Sequence, residues 1–119
     1  MEMEARAFLR NANVSLKNAI PVCDKLRGMN VNKAIRFLED LLKKKASIDG
    51  KYYTKTVKII LEVLKAAKAN ALQKNMNEER LYIKIIKADK GERIILPKRA
   101  KFAGRVKKTA HITIVLGER

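Results

Sequence analysis

Seven cations stand between residues 93 and 108 in the run "RIILPKRAKFAGRVKK": Arg93, Lys98, Arg99, Lys101, Arg105, Lys107 and Lys108, with no acid among them. Side chains of this kind at this density do electrostatic chemistry. They neutralise the phosphates of a polyanion and release its counterions, and the arginines can also grip a phosphate with two donors or stack on a base. Residues able to make or break bonds are sparse. There is one histidine, His111, one cysteine, Cys23, and twelve scattered acids. No glycine-rich loop cradles phosphate, so no nucleophile, base and orienting group can be assembled, and an enzyme is not expected. His111 has no Cys or His companion at metal-ligand spacing and reads as a structural strand residue. Cys23, between Val22 and Leu26, reads as a small core residue of a protein kept in a reducing compartment. No cofactor is expected.

The charge around this run sets the class of partner. Lys and Arg number 28 against 12 Asp and Glu, a formal net charge of +16. The excess grows along the chain and is greatest after residue 80. Such a bias predicts a polyanionic partner, nucleic acid first and an anionic membrane surface second. No stretch is long and apolar enough to span a membrane. The start, "MEMEARAFLR", carries two acids and no long apolar run, unlike a signal peptide. A length of 119 residues fits one domain with a single core.

The elements that must hold the cations follow from periodicity. Residues 3–10 alternate as a short strand, with Phe8 breaking the pattern. Ser15 is a candidate N-cap for a helix to about Arg27, and Gly28 its stop signal. Pro21 falls inside that pattern and should bend its first turns or mark its true start. A second helix begins near Asn30 or Asn32, with Ala34, Ile35, Leu38, Leu41 and Leu42 on its apolar face. Residues 43–52 read as a loop turning at Asp49-Gly50. A third helix covers about 53–75, with Val57, Ile60, Leu64, Ala67 and Ala71 on one side and a row of lysines on the other. Leu81, Ile83 and Ile85, and His111, Thr113 and Val115, alternate as two strands.

If 81–87 pairs with 110–116, the intervening chain is one antiparallel excursion. Thirteen residues a side would reach roughly 40 Å, past a body only about 35 Å across. Segment 84–108 holds ten cations and two acids. Two such strands are marginal alone in water, so the arm requires something anionic to order it. Lys90, Arg93, Lys98, Arg99, Lys101, Arg105, Lys107 and Lys108 are the expected phosphate contacts.

Six stretches in order resemble a known family: "ARAFLRN" at 5–11, "VCDKLRGM" at 22–29, "AIRFLED" at 34–40, "GKYYTKTVKIILEVLKAAKANA" at 50–71, "ERLYIKIIKADKG" at 79–91 and "TAHITIVL" at 109–116. Together they resemble the universal large-subunit ribosomal protein numbered twenty-two in bacteria and seventeen in eukaryotes. The Cys-bearing helix and "LED" look more like its archaeal and eukaryotic members. The resemblance implies an α+β fold, three helices packed on a small antiparallel sheet, with a long protruding β-hairpin at about 84–108. It implies a structural constituent of the large ribosomal subunit in the cytoplasm, bound to rRNA and beside other ribosomal proteins. It also implies that the hairpin helps line the polypeptide exit tunnel, with its tip near nascent chains. By the same likeness Arg6, Arg10 and Lys17 match the family's RNA-contacting start, with Lys44 and Lys45 adding to it. The family's tip signature, Pro-Arg-Ala-x-Gly-Arg-Ala, appears as "PKRAKFAGRV", which carries over to Arg99 and Arg105. The family's Ser-Pro start of the first helix is replaced by Ser15-Leu16, with the proline at Pro21.

The alternative is a free-standing basic nucleic-acid-binding module outside the ribosome, its first two helices mimicking a helix-turn-helix. Glu39 and Asp40 on the second helix argue against a base-reading face. A membrane-surface protein would use the third helix, which only partly has the required amphipathic character. No homo-oligomer is expected.

Overall fold

The computed structural model describes residues 4–12, 14–48, 50, 52–95 and 106–118. The elements run β1 (Glu4–Ala12), α1 (Leu16–Leu26), α2 (Val31–Leu42), α3 (Thr54–Gln73), a single 3₁₀ turn (Glu78–Arg80), β2 (Leu81–Ile95) and β3 (Val106–Glu118). The three strands form one antiparallel sheet in the order β1-β3-β2. The fold is the expected α+β arrangement of three helices against a small antiparallel sheet carrying a β2–β3 hairpin.

The helices form where apolar residues recur at helical spacing and where caps bound them. α1 buries Ala19, Val22, Cys23 and Leu26. Pro21 lies within this helix, and α1 starts at Leu16 rather than at the proline. A proline here removes its own bond to the Lys17 carbonyl and crowds that oxygen, and burial of the four apolar side chains offsets that loss. Ser15 has N-cap backbone geometry, but its side chain makes no capping hydrogen bond; its carbonyl accepts from the N–H of Ala19 at 3.0 Å. Gly28 follows the helix with φ of +81°, where a side chain would be strained. α2 is capped by Asn30, whose side chain accepts from the Asn32 N–H at 3.0 Å. α3 buries Val57, Ile60, Leu64, Ala67 and Ala71 completely, the face its periodicity predicts.

One face of the sheet meets the helices. Ala110, Ile112, Ile114 and Leu116 of β3 are fully buried on it, as are Ala5 of β1 and Leu81 and Ile83 of β2. They join the helical residues in one continuous core. Part of each outer edge of the three-stranded sheet is engaged. On the β1 side, Asn70 Nδ2 of α3 donates to the Arg6 carbonyl at 2.8 Å and Lys74 Nζ, at the C-cap of α3, to the Glu4 carbonyl at 2.7 Å. On the β2 side, Gly28 N–H donates to the Ile83 carbonyl and Ile83 N–H to the Met29 carbonyl. At these positions the edge backbone groups already have partners.

The sheet is three strands wide only as far as Ala12, Ala110 and Lys90. Beyond that row β2 and β3 continue alone, pairing Arg93 with Lys108, Ile94 with Lys107 and Ile95 with Val106. Residues 84–90 of the expected arm therefore lie within the three-stranded part, and the two-stranded section starts at Gly91. The molecule measures 54 × 32 × 18 Å, with a radius of gyration of 15.8 Å. A compact chain of this length would have about 13.5 Å, and the extended pair of strands accounts for the excess.

Candidate nucleic-acid interface

The junction between the three-stranded and two-stranded parts is built from irregular backbone. β1 bulges between Leu9 and Ala12, so that Arg10 and Asn11 together occupy the place opposite His111. Asn11 takes a left-handed conformation with φ of 52°, which asparagine tolerates better than most residues. Its N–H donates to His111 Nδ1 at 3.0 Å, and its Oδ1 accepts from Thr109 Oγ1 at 3.1 Å. An Nδ1 that accepts carries no proton, so the ring donates from Nε2. β2 bulges in turn between Lys90 and Arg93. Gly91 sits in that bulge, where a Cβ would come within 2.4 Å of Thr109 Oγ1 and 2.9 Å of Asn11 Oδ1. The expectation that His111 is structural is thus given a specific form: it pins the bulge from which the arm departs.

Around this junction stand several of the predicted cations. Arg10 lies in the β1 bulge, Lys17 in the first turn of α1 just after that strand, and Lys90 at the last three-stranded row; all three are exposed. Arg93, Lys107 and Lys108 lie in the paired strands beyond, with Arg93 directly opposite Lys108. Like charges placed opposite each other across an antiparallel pair are destabilising. Lys98, Arg99, Lys101 and Arg105 fall outside the described residues.

The remaining candidates are set elsewhere. Arg6 lies in the middle of β1, its side chain 75% exposed and 3.6 Å from Glu4. Lys44 and Lys45 follow the C-terminus of α2. Lys44 has a left-handed backbone with φ of 59°, and its Nζ stands 5.8 Å from the centre of the Tyr52 ring, within cation–π range. These two lysines belong to the α2–α3 connection.

Cys23 is buried, and burial pushes its thiol up to about 11; it stays protonated and unreactive at neutral pH. Among the described residues no three His, Cys, Asp or Glu side chains gather as a metal site. No helix of the described residues is long and apolar enough to cross a membrane.

Sequence reasoning missed the face of the sheet opposite the helices. Phe8, read as a break in the alternation of β1, instead keeps it: the ring lies beside His111, 5.8 Å between centroids, and is 59% exposed. The signal was present in the same alternation, since Ala5, Ala7 and Leu9 share the other side of the strand.

Comparison with known proteins places this architecture in context. Residues 7–117 match the family described as ribosomal protein L22p/L17e. Similar proteins include the large ribosomal subunit protein uL22 of Methanocaldococcus jannaschii, 33% identical over 98% of this chain and 89% of that protein. The protein of that name from Desulfotalea psychrophila is 36% identical over 98% of this chain and 99% of its own length. That from Thermus thermophilus is 34% identical, covering 98% and 97%.

Proposed function

The chain belongs to the ribosomal protein L22p/L17e family, and from that premise we propose that its basic body and its β2–β3 arm bind large-subunit rRNA, with the arm helping to line the polypeptide exit tunnel. The family's role is structural, and the chain is a ribosomal component rather than an enzyme. Its partners are the rRNA, neighbouring ribosomal proteins and, at the hairpin tip, the nascent chain.

The observation that carries this reading is the pairing of Arg93 with Lys108 in a section of hairpin only two strands wide. An isolated strand pair is marginal in water, and opposed cations weaken it further. RNA phosphates brought close to both would turn that repulsion into attraction. Lys90, Arg93, Lys98, Arg99, Lys101, Arg105, Lys107 and Lys108 form the arm's contribution; Arg6, Arg10, Lys17, Lys44 and Lys45 form that of the body. Recognition is of RNA shape and phosphate position, because A-form grooves hide most base edges.

The test is the salt dependence of binding to the large-subunit rRNA. Each phosphate neutralised contributes about 0.7–0.9 to the slope of log affinity against log salt. Replacing Arg99, Arg105 and Lys108 together by Gln should flatten that slope by about two units or more. An unchanged slope would show that the arm is not the contact surface.

A further inference from the structure

The sheet face turned away from the helices carries an exposed aromatic ring among cations, and the arm does not explain it. Beyond a row of Glu4, Gly117 and Tyr82, three cross-strand rows compose it. The first joins Arg6, Val115 and Ile85; the second Phe8, Thr113 and Lys87; the third the β1 bulge, His111 and Asp89. Phe8 is 59% exposed and Ile85 43%, while Val115 between Arg6 and Ile85 is nearly covered. The acids on this face are already engaged. Glu4 holds Lys84 at 2.5 Å and lies 3.6 Å from Arg6, and Asp89 stands 3.8 Å from Lys87.

We propose that this face is a stacking platform, on which an unpaired nucleobase of the large-subunit rRNA lies against the Phe8 ring while Arg6 and Lys87 meet the phosphates on either side. The inference rests on the rRNA-binding reading above and adds to it a site outside the arm. The chemistry favours RNA over a protein surface. A protein partner would cover a contiguous apolar patch, whereas here Phe8 and Ile85 are set apart and alternate with Arg6, Thr113 and Lys87. One exposed ring with cations at its margins matches a base with its flanking phosphates, since every base has an aromatic face and a charged backbone. The ring is also held in place. It leans on His111, and His111 is fixed by the Asn11 N–H, so little freedom is lost when a base stacks. With Nδ1 occupied as an acceptor, the histidine keeps its Nε2–H as a donor on the same platform.

The experiment uses the full chain and large-subunit rRNA. Phe8→Ala should weaken binding about 5- to 150-fold, the range for losing one stacked base, with the salt slope unchanged. Phe8→Leu, which keeps apolar bulk without a ring, should remain weak, and Phe8→Tyr should restore affinity. A photoreactive phenylalanine at position 8 should cross-link to RNA in assembled subunits. Equal affinity for the wild type, Phe8→Ala and Phe8→Leu overturns the proposal, as does a cross-link only to a neighbouring protein. Failure here is separable from failure of the arm reading, because the arm variants change the salt slope and the Phe8 variants do not.

Discussion

The β2–β3 hairpin is one pair of strands in two settings. From Leu81 to Lys90 it is flanked by β1 across β3 and backed by helices, and Ile83, Ile86, Ile112 and Ile114 are buried there. From Gly91 outward the same two strands continue with neither neighbour. The first half is held by burial, at roughly 1.5–3 kcal/mol for each large apolar side chain taken out of water. In the second, the described backbone pairs Arg93 with Lys108 in register. Under the rRNA-binding proposal, stability and binding fall on different stretches of the same element, so that they should be separable by mutation.

The widest separation is expected at the core. Ile114→Ala, in the middle of β3 and fully buried, should cost about 2–5 kcal/mol in urea unfolding. Neutralising Arg99, Arg105 and Lys108 should move the same midpoint by no more than about 0.5 kcal/mol, or raise it slightly by relieving repulsion. If the arm variant proves as destabilising as Ile114→Ala, the two halves are one cooperative unit and the division fails.

Next in size is the boundary itself. Gly91 marks the point where β1 ends and the arm begins, and its missing side chain leaves room for Thr109 and Asn11. Gly91→Ala should cost about 1–3 kcal/mol, as overpacking does. The nearest clash is with the Thr109 hydroxyl, so Thr109→Ala in the same chain should recover part of the loss. The approach to the Thr109 backbone at 2.9 Å predicts that recovery stays incomplete. Full stability in Gly91→Ala would mean that the junction yields freely and does not aim the arm.

How much of this was legible in the sequence follows the same division. Burial leaves a periodic trace, so Val57, Ile60, Leu64, Ala67 and Ala71 could be placed on one helix face, and Leu81 and Ile83 on a strand. Charge density leaves a compositional trace, and the run from Arg93 to Lys108 is what leads to the proposal of a polyanionic partner. Pro21 left two starts open for α1, after Ser15 or near the proline itself, because a local rule about backbone bonds takes no account of the tertiary burial of Val22, Cys23 and Leu26 that favours the earlier start. The bulges were illegible. A strand that gains one residue at Arg10-Asn11 keeps its composition, and only the partner strand shows that His111 faces two residues. The open face was missed for a related reason: whether Phe8 is covered depends on which side the helices choose.

The smallest effect tests what holds the first half across its width. Glu4 on β1 reaches over β3 to Lys84 on β2, and the Lys84 hydrogen bond, ahead of its charge, holds the Glu4 carboxyl below its ordinary value of 4.5. A carboxyl depressed in the folded state binds its proton more tightly once unfolded. Its contribution is therefore complete above the unfolded value and is lost as pH falls through the folded one. The body half thus ties its outer strands with opposite charges, where the arm sets like charges face to face. Because the pair is exposed to solvent, the effect is modest and fades with added salt. Urea midpoints measured from pH 6 to pH 3 should fall less steeply for Glu4→Gln than for the wild type, the other carboxylates being common to both chains. Identical profiles at low salt would mean that the Glu4–Lys84 bridge contributes nothing to the folded body, and that burial alone separates it from the arm.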